Sequence, residues 1–189
     1  MSEKNKSFFK EVWSFCKDFV VCAGIVLVCT HFIARPIQVK GSSMYPTLED
    51  KEIGISNILG KNLGSIDRFD IVIVHVVTET KNEYLVKRAI GLPGETIYYE
   101  DDKLYVNGEY VEEPFLDTEF ANDYRSSHNA SYTGNISPLT LGEDEYFCLG
   151  DNRPGSSDSR VYGPFKYSNI LGKGVVVLFP FNKAGVHTW

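Results

Sequence analysis

The sequence is short of several things that would each have named a function class. It carries four cysteines, and three of them (Cys16, Cys22 and Cys29) sit in one apolar N-terminal run, so a disulfide framework is excluded as an organising device. Cys148, in the apolar stretch Tyr146-Phe147-Cys148-Leu149, reads as a buried strand position. No Lys/Arg-rich run occurs, and 25 acidic against 19 basic side chains give a net charge of −6, so nucleic acid is a poor partner. The four histidines, His31, His75, His128 and His187, are far apart and lack metal-ligand spacing, so neither a zinc site nor any other metal or cofactor is expected. At 189 residues the chain has room for one globular domain and an appendage.

The appendage is what the sequence does have. From Phe19 to Ala34 no charged side chain occurs, a run of roughly 24 Å in a helix rising about 1.5 Å per residue. Val12, Trp13, Phe15 and Cys16 extend it toward the roughly 30 Å of a bilayer core, with Lys17 able to snorkel. A transmembrane anchor is expected over residues 12–34, with residues 1–11 cytoplasmic. Lys4, Lys6, Lys10 and Lys17 precede it and Arg35 and Lys40 follow, which by the positive-inside rule sends residues 35–189 to the outer side. A cleaved signal peptide fits less well, because His31, Phe32 and Ile33 stand where small residues are needed and Pro36 follows. A buried soluble helix is the plainer alternative.

Beyond residue 35 the helical period fades and short β-type runs take over. Ile71 to Val77, Tyr84 to Ile90, Thr96 to Tyr99, Tyr146 to Leu149 and Gly174 to Phe179 read as strands, and Leu104 to Val111 as a hairpin about Asn107-Gly108. Residues 117–140 are polar and read as a surface insertion. The expected body is a single mainly β domain of antiparallel sheets.

Candidate chemistry begins at Gly41-Ser42-Ser43-Met44-Tyr45-Pro46-Thr47-Leu48, directly after the anchor. Glycine permits close backbone approach and Pro46 stiffens the turn, so an exposed serine can be held there, although such clusters are usually only turns. A serine hydroxyl needs a base. His75, inside an apolar strand, reads better as structural than as that base. Lys87 interrupts an apolar run and shares a strand face with Leu85 and Ala89, where burial would lower its pKa toward neutrality. Arg88 points the other way and stays protonated, so it cannot substitute. By pattern alone Lys87 reads first as a solvent-facing edge-strand charge.

Ordered segments decide between these readings. The anchor, Gly41 to Thr47, Arg68-Phe69-Asp70-Ile71-Val72, Lys87-Arg88-Ala89-Ile90-Gly91-Leu92-Pro93-Gly94, Gly150-Asp151-Asn152-Arg153 with Ser156, Asp158, Ser159, Arg160 and Gly163, and Gly172-Lys173-Gly174 together resemble the bacterial type I signal peptidases over nearly the whole chain, residues 117–140 excepted. The resemblance implies a barrel-like arrangement of the β sheets. It implies a membrane-bound serine endopeptidase that removes signal peptides from exported preproteins by cutting after small residues in an Ala-X-Ala-like context. It makes Ser43 the nucleophile, Lys87 the base, Ser156 the hydroxyl that orients the lysine amine, and Asp158 with Arg160 a structural ion pair. A hydroxyl can orient a neutral amine without recharging it, which a carboxylate would do.

Gly41 departs from members that place an oxyanion-stabilising serine there, leaving the Ser43 N–H as main donor. Ile37, Val39 and Val86 flank the two catalytic positions and are candidates for the shallow apolar substrate pockets. Asp151, Arg153 and Ser157 read as a polar turn. Endoplasmic-reticulum relatives carry histidine at the base position, so Lys87 points to a bacterial membrane, and the short single-anchor chain looks Gram-positive and monomeric. A self-cleaving repressor would need a DNA-binding domain. An inactive membrane-tethered β domain that binds partners is the alternative from another class.

Overall fold

The computed structural model describes residues 3–80, 82–116 and 118–187, with side chains from Lys10 onward. A helix, α1 (Glu3–Val28), runs into one π turn (Cys29–Ile33). The Thr30 hydroxyl donates to the Val26 and Leu27 carbonyls, and the Ala34 N–H reaches Cys29 O to close the wider turn. Arg35, preceding Pro36, is pushed to extended backbone and the helix stops. Lys10–Ile33 is long and apolar enough to cross a membrane, with a mean hydropathy of 1.9, and none of that window is buried within the protein.

The remaining elements, in chain order, are β1 (Ala34–Gln38), β2 (Ile53–Asn57), α2 (Ile58–Leu63), β3 (Ile71–Val77), β4 (Asn82–Gly91), β5 (Thr96–Glu100), β6 (Lys103–Val106), β7 (Glu109–Val111), α3 (Glu119–His128), β8 (Ile136–Thr140), β9 (Glu145–Leu149), α4 (Ser159–Tyr162), β10 (Phe165–Lys166), β11 (Ile170–Phe179) and β12 (Gly185–His187). All pairings are antiparallel. An eight-stranded sheet runs β1-β2-β11-β3-β4-β9-β10 with β12 alongside β11, and a four-stranded sheet runs β7-β6-β5-β8.

The expected barrel is not formed: both sheets are open. The outer edge of β1 carries Pro36, which has no N–H to offer, and the opposite edge is the two-residue β10. No ladder among the described residues joins them.

Side-chain alternation along the central strands sorts the core. Val72, Val74 and Val76 of β3 pack with Ala89, Cys148 and Ile170. Ile71 and Ile73 face the other way, against Val39, Met44, Leu48, Val175 and Val177. Because β3 is covered on both faces it reads as a continuous apolar run. A third cluster, around Ile90, Ile97, Tyr99, Leu104, Phe147 and Leu149, draws on both sheets. Gly91 sits there because a side chain would strike Leu141 and Ile97. The β6–β7 hairpin turns on Asn107 and Gly108, both at positive φ (52° and 87°), with Val106 opposite Glu109.

Residues 117–140 are only partly the surface segment that their polarity suggests. They supply α3, capped by Thr118, and β8, which completes the smaller sheet. Ala121, Tyr132 and Thr133 are buried. The reason is a single carboxylate: Asp102 accepts the backbone N–H groups of Tyr132, Thr133 and Gly134, at 2.7, 2.7 and 3.0 Å. Burial alone would raise the Asp102 pKa, but these amides and Arg125 hold it below the usual range.

Candidate active site

Ser43 rides on an excursion of the β1–β2 hairpin. The base of that excursion is closed where Val39 N donates to Glu52 O (2.8 Å) and Lys51 N donates to Val39 O (2.9 Å). Gly41, at φ +82°, turns the chain, and its N–H is tied to Asp50. Met44 and Leu48, both buried, pin the far side of the loop into the core. Asn152 holds the crest, its backbone N–H donating to Ser43 O (3.0 Å) and its side-chain amide to Ser42 O (3.1 Å).

Lys87 reaches this loop from β4. Its Nζ lies 2.6 Å from Ser43 Oγ in a hydrogen bond, and the residue is 1% exposed. Leu85 and Ala89, two positions to either side, pack with Cys148 on one face. Lys87 does sit where β4 pairs with β3 alone, but it is not the solvent-facing charge of the edge-strand reading, since its amine is sealed from water. Burial pulls the Lys87 pKa down to about 8, against a weaker upward pull from Asp158 and Asp151. Cys148, beside it and fully buried, has its thiol pushed up by the same desolvation and stays neutral.

Asp158 and Arg160 are ion-paired, with contacts of 2.9 and 2.8 Å. Burial would raise the Asp158 carboxyl, but Arg160 and the Gly150 N–H outweigh it and keep the group ionised. The Ser156 Oγ is buried and unpartnered, and no hydrogen bond joins it to Lys87. It borders Gly150, where a side chain would collide with Ser156 Oγ and the Ser43 carbonyl. Ile37, Val39 and Val86 come together in one apolar cluster with Met44.

Two buried ion pairs escaped the sequence reading. Asp151 and Arg153 are each 1% exposed and are not part of a surface turn. Asp151 takes Arg88 in a fork of 2.8 and 2.6 Å and accepts the Thr47 hydroxyl at 2.6 Å. Arg153 binds Glu113 (2.6 Å), Thr133 (2.8 Å) and the Gly150 carbonyl (3.0 Å). A run of Gly, Asp, Asn, Arg and Pro has the composition of a turn, and only the partners, dozens of residues away, show that it is core. His75 is structural in its contacts, stacking on Tyr84 and bonding Asn82. Among the described residues no group of three or more His, Cys, Asp or Glu is placed to hold a metal.

Relatives align with this sequence over most of its length. Signal peptidase I S of Bacillus subtilis is 37% identical over 186 residues, covering 97% of each chain. Signal peptidase I T of the same species is 40% identical, covering 88% of this chain and 85% of the relative, and signal peptidase IB of Staphylococcus aureus is 34% identical, covering 92% and 93%. The crystal structure of a signal peptidase I from Enterococcus faecalis aligns with a TM-score of 0.49 at 38% identity, over 57% of this chain and 94% of that one. A family profile described as signal peptidase, peptidase S26, matches residues 12–179, and with relatives this similar along the whole length, the chain belongs to that family.

Proposed function

We propose that this protein is a membrane-bound serine endopeptidase that removes signal peptides from exported preproteins, with Ser43 as nucleophile and Lys87 as general base. The observation that carries it is the 2.6 Å contact between a buried amine of lowered pKa and a serine hydroxyl held on a braced loop. The neutral amine takes the Ser43 proton as Oγ attacks the carbonyl carbon of the scissile bond. The Ser43 N–H faces the developing oxyanion, with Gly41 offering no side-chain donor. Collapse expels the new amino terminus, which takes the proton from the lysine ammonium. Water then repeats the cycle on the acyl-enzyme, with Lys87 again the base. Ser156 Oγ is the acceptor that turns the amine toward Ser43, a role supported by its burial beside Gly150 and the Ser43 loop. Asp158 and Arg160 hold the surrounding turn.

Substrate enters as an extended strand. Among the described residues, positions 84–87 of β4 have a ladder to β3 alone, since β9 takes up Arg88 to Gly91, and β1 has a ladder to β2 alone. Two free strand edges therefore flank a groove of about 1210 Å³, lined by Ile37, Ile73, Leu85 and the anchor residues Leu27, Val28 and Phe32. Ile37, Val39 and Val86 limit the side chains accepted to small ones. The helix over residues 12–34 anchors a monomer in the bacterial cell membrane, with residues 1–11 inside and the catalytic domain outside, as the flanking lysines favour. The reading as an inactive tethered domain has no support, since the relatives matched here are named as signal peptidases.

The test is cleavage of a precursor peptide with an Ala-X-Ala site by the full chain in detergent, followed against pH. A base must be unprotonated, so kcat/KM should rise with pH and reach half its plateau near 8, and Ser43→Ala should be inert. Equal cleavage by wild type and Ser43→Ala, or a profile flat through pH 8, would overturn the assignment.

A further inference from the structure

We infer that Tyr132 is a positioning residue for Ser43, acting through the peptide group that joins Asp151 to Asn152. The Tyr132 hydroxyl donates to the carbonyl oxygen of Asp151 at 2.9 Å, and the N–H of Asn152 donates to the Ser43 carbonyl at 3.0 Å. That carbonyl and that N–H belong to the same planar amide, so the phenol and the nucleophile's own backbone hold one peptide unit from its two ends. A hydrogen bond accepted at the oxygen polarises the amide and strengthens the one donated at nitrogen. Ser43 thereby keeps its ψ, and with it the direction of Oγ toward Lys87.

The phenol can do this because it cannot drift. Its backbone is locked by Asp102, which takes the N–H groups of Tyr132 and the next two residues. The Arg125 guanidinium lies 5.3 Å over its ring and the Tyr124 ring stands edge-on at 5.6 Å. Tyr132 is 2% exposed, and burial pushes its phenol above the ordinary value, so it remains a donor through the working range. A segment that is polar and loop-like in sequence thus bears on the nucleophile from the connection between α3 and β8.

The inference rests on Ser43 being the nucleophile, and Tyr132→Phe in the full-length protein tests it separately. This substitution deletes one oxygen and leaves the ring packed. Expected is a fall of about tenfold in kcat per folded molecule, with the folded fraction read from near-ultraviolet circular dichroism, KM within about twofold and the pH midpoint unmoved. Asp102→Asn should lower kcat in the same direction by less, and adding it to Tyr132→Phe should lower kcat no further, because both act along one route. An unchanged kcat per folded molecule, or a change carried by KM, would overturn the inference. Cleavage surviving in Ser43→Ala would overturn the nucleophile assignment instead.

Discussion

Lys87 and Arg88 are neighbours on β4, both sealed from solvent, and the protein treats them in opposite ways. Lys87 shares a strand face with Leu85 and Ala89, which pack with Cys148, and bonds the Ser43 hydroxyl; among the described residues no carboxylate bonds it. On the other face, Arg88 is clasped by Asp151 in a two-pronged ion pair, donates to the Phe69 carbonyl and lies 4.1 Å over the Phe115 ring. Desolvation without a counter-ion yields an amine ready to take a proton. Desolvation with one yields a fixed charge that ties β4 to the turn beside Ser43. The choice of side chain matches: lysine can lose its proton near neutrality, and guanidinium does not.

Removing the uncharged member gives the largest effect expected. Lys87→Met should lower kcat/KM by on the order of 10⁴ or more, since dyad members act as a unit. It should also stabilise the fold. The Lys87 pKa falls from its ordinary 10.5 to about 8 on folding, so the unfolded chain holds the proton more tightly, and the destabilisation is complete below pH 8 and lifts between 8 and 10.5. Relative to wild type, Lys87→Met should therefore gain up to about 3 kcal/mol in denaturant unfolding at pH 7, with the gap closing as pH approaches 10.5. A less stable variant would show that burial does not strain this amine.

Breaking the charged member should act on stability instead. Arg88→Met leaves Asp151 buried and uncompensated, which costs about 3–5 kcal/mol. Urea unfolding would measure it, and a loss under about 1 kcal/mol would mean that water reaches Asp151. The smallest effect tests what keeps the two sites different. Arg160 lies between Asp158 and Lys87 electrostatically, lowering the lysine pKa while Asp158 raises it. Arg160→Gln should move the activity midpoint above 8, with a several-fold loss near pH 7 that is recovered at higher pH. A midpoint that stays in place would restrict Arg160 to bracing the turn through its bond to the Arg153 carbonyl.

Much of this could be read from residues alone because it depends on neighbours in the chain. The apolar run to Ala34, the doubly covered β3, the Asn107-Gly108 hairpin and the position of Ser43 after a glycine turn are local properties. So is the interruption of an apolar strand by Lys87, although pattern alone favours solvent exposure of that amine, and only β3, β9 and the Ser43 loop around it make it buried. The barrel was expected by resemblance and fails because closure depends on edges meeting, which Pro36 and the two-residue β10 do not do.

What tertiary structure alone decided is the fate of polar groups. Asp151, Arg153, Thr47 and Tyr132 have the composition of turns and surface loops, and each is instead part of a buried network whose partners come from other elements. A polar side chain enters a core only when a partner arrives to replace water, and that partner is chosen by the folded chain. Periodicity reports which face a residue shares with its neighbours. It carries no information about which distant carboxylate, amide or phenol will stand opposite.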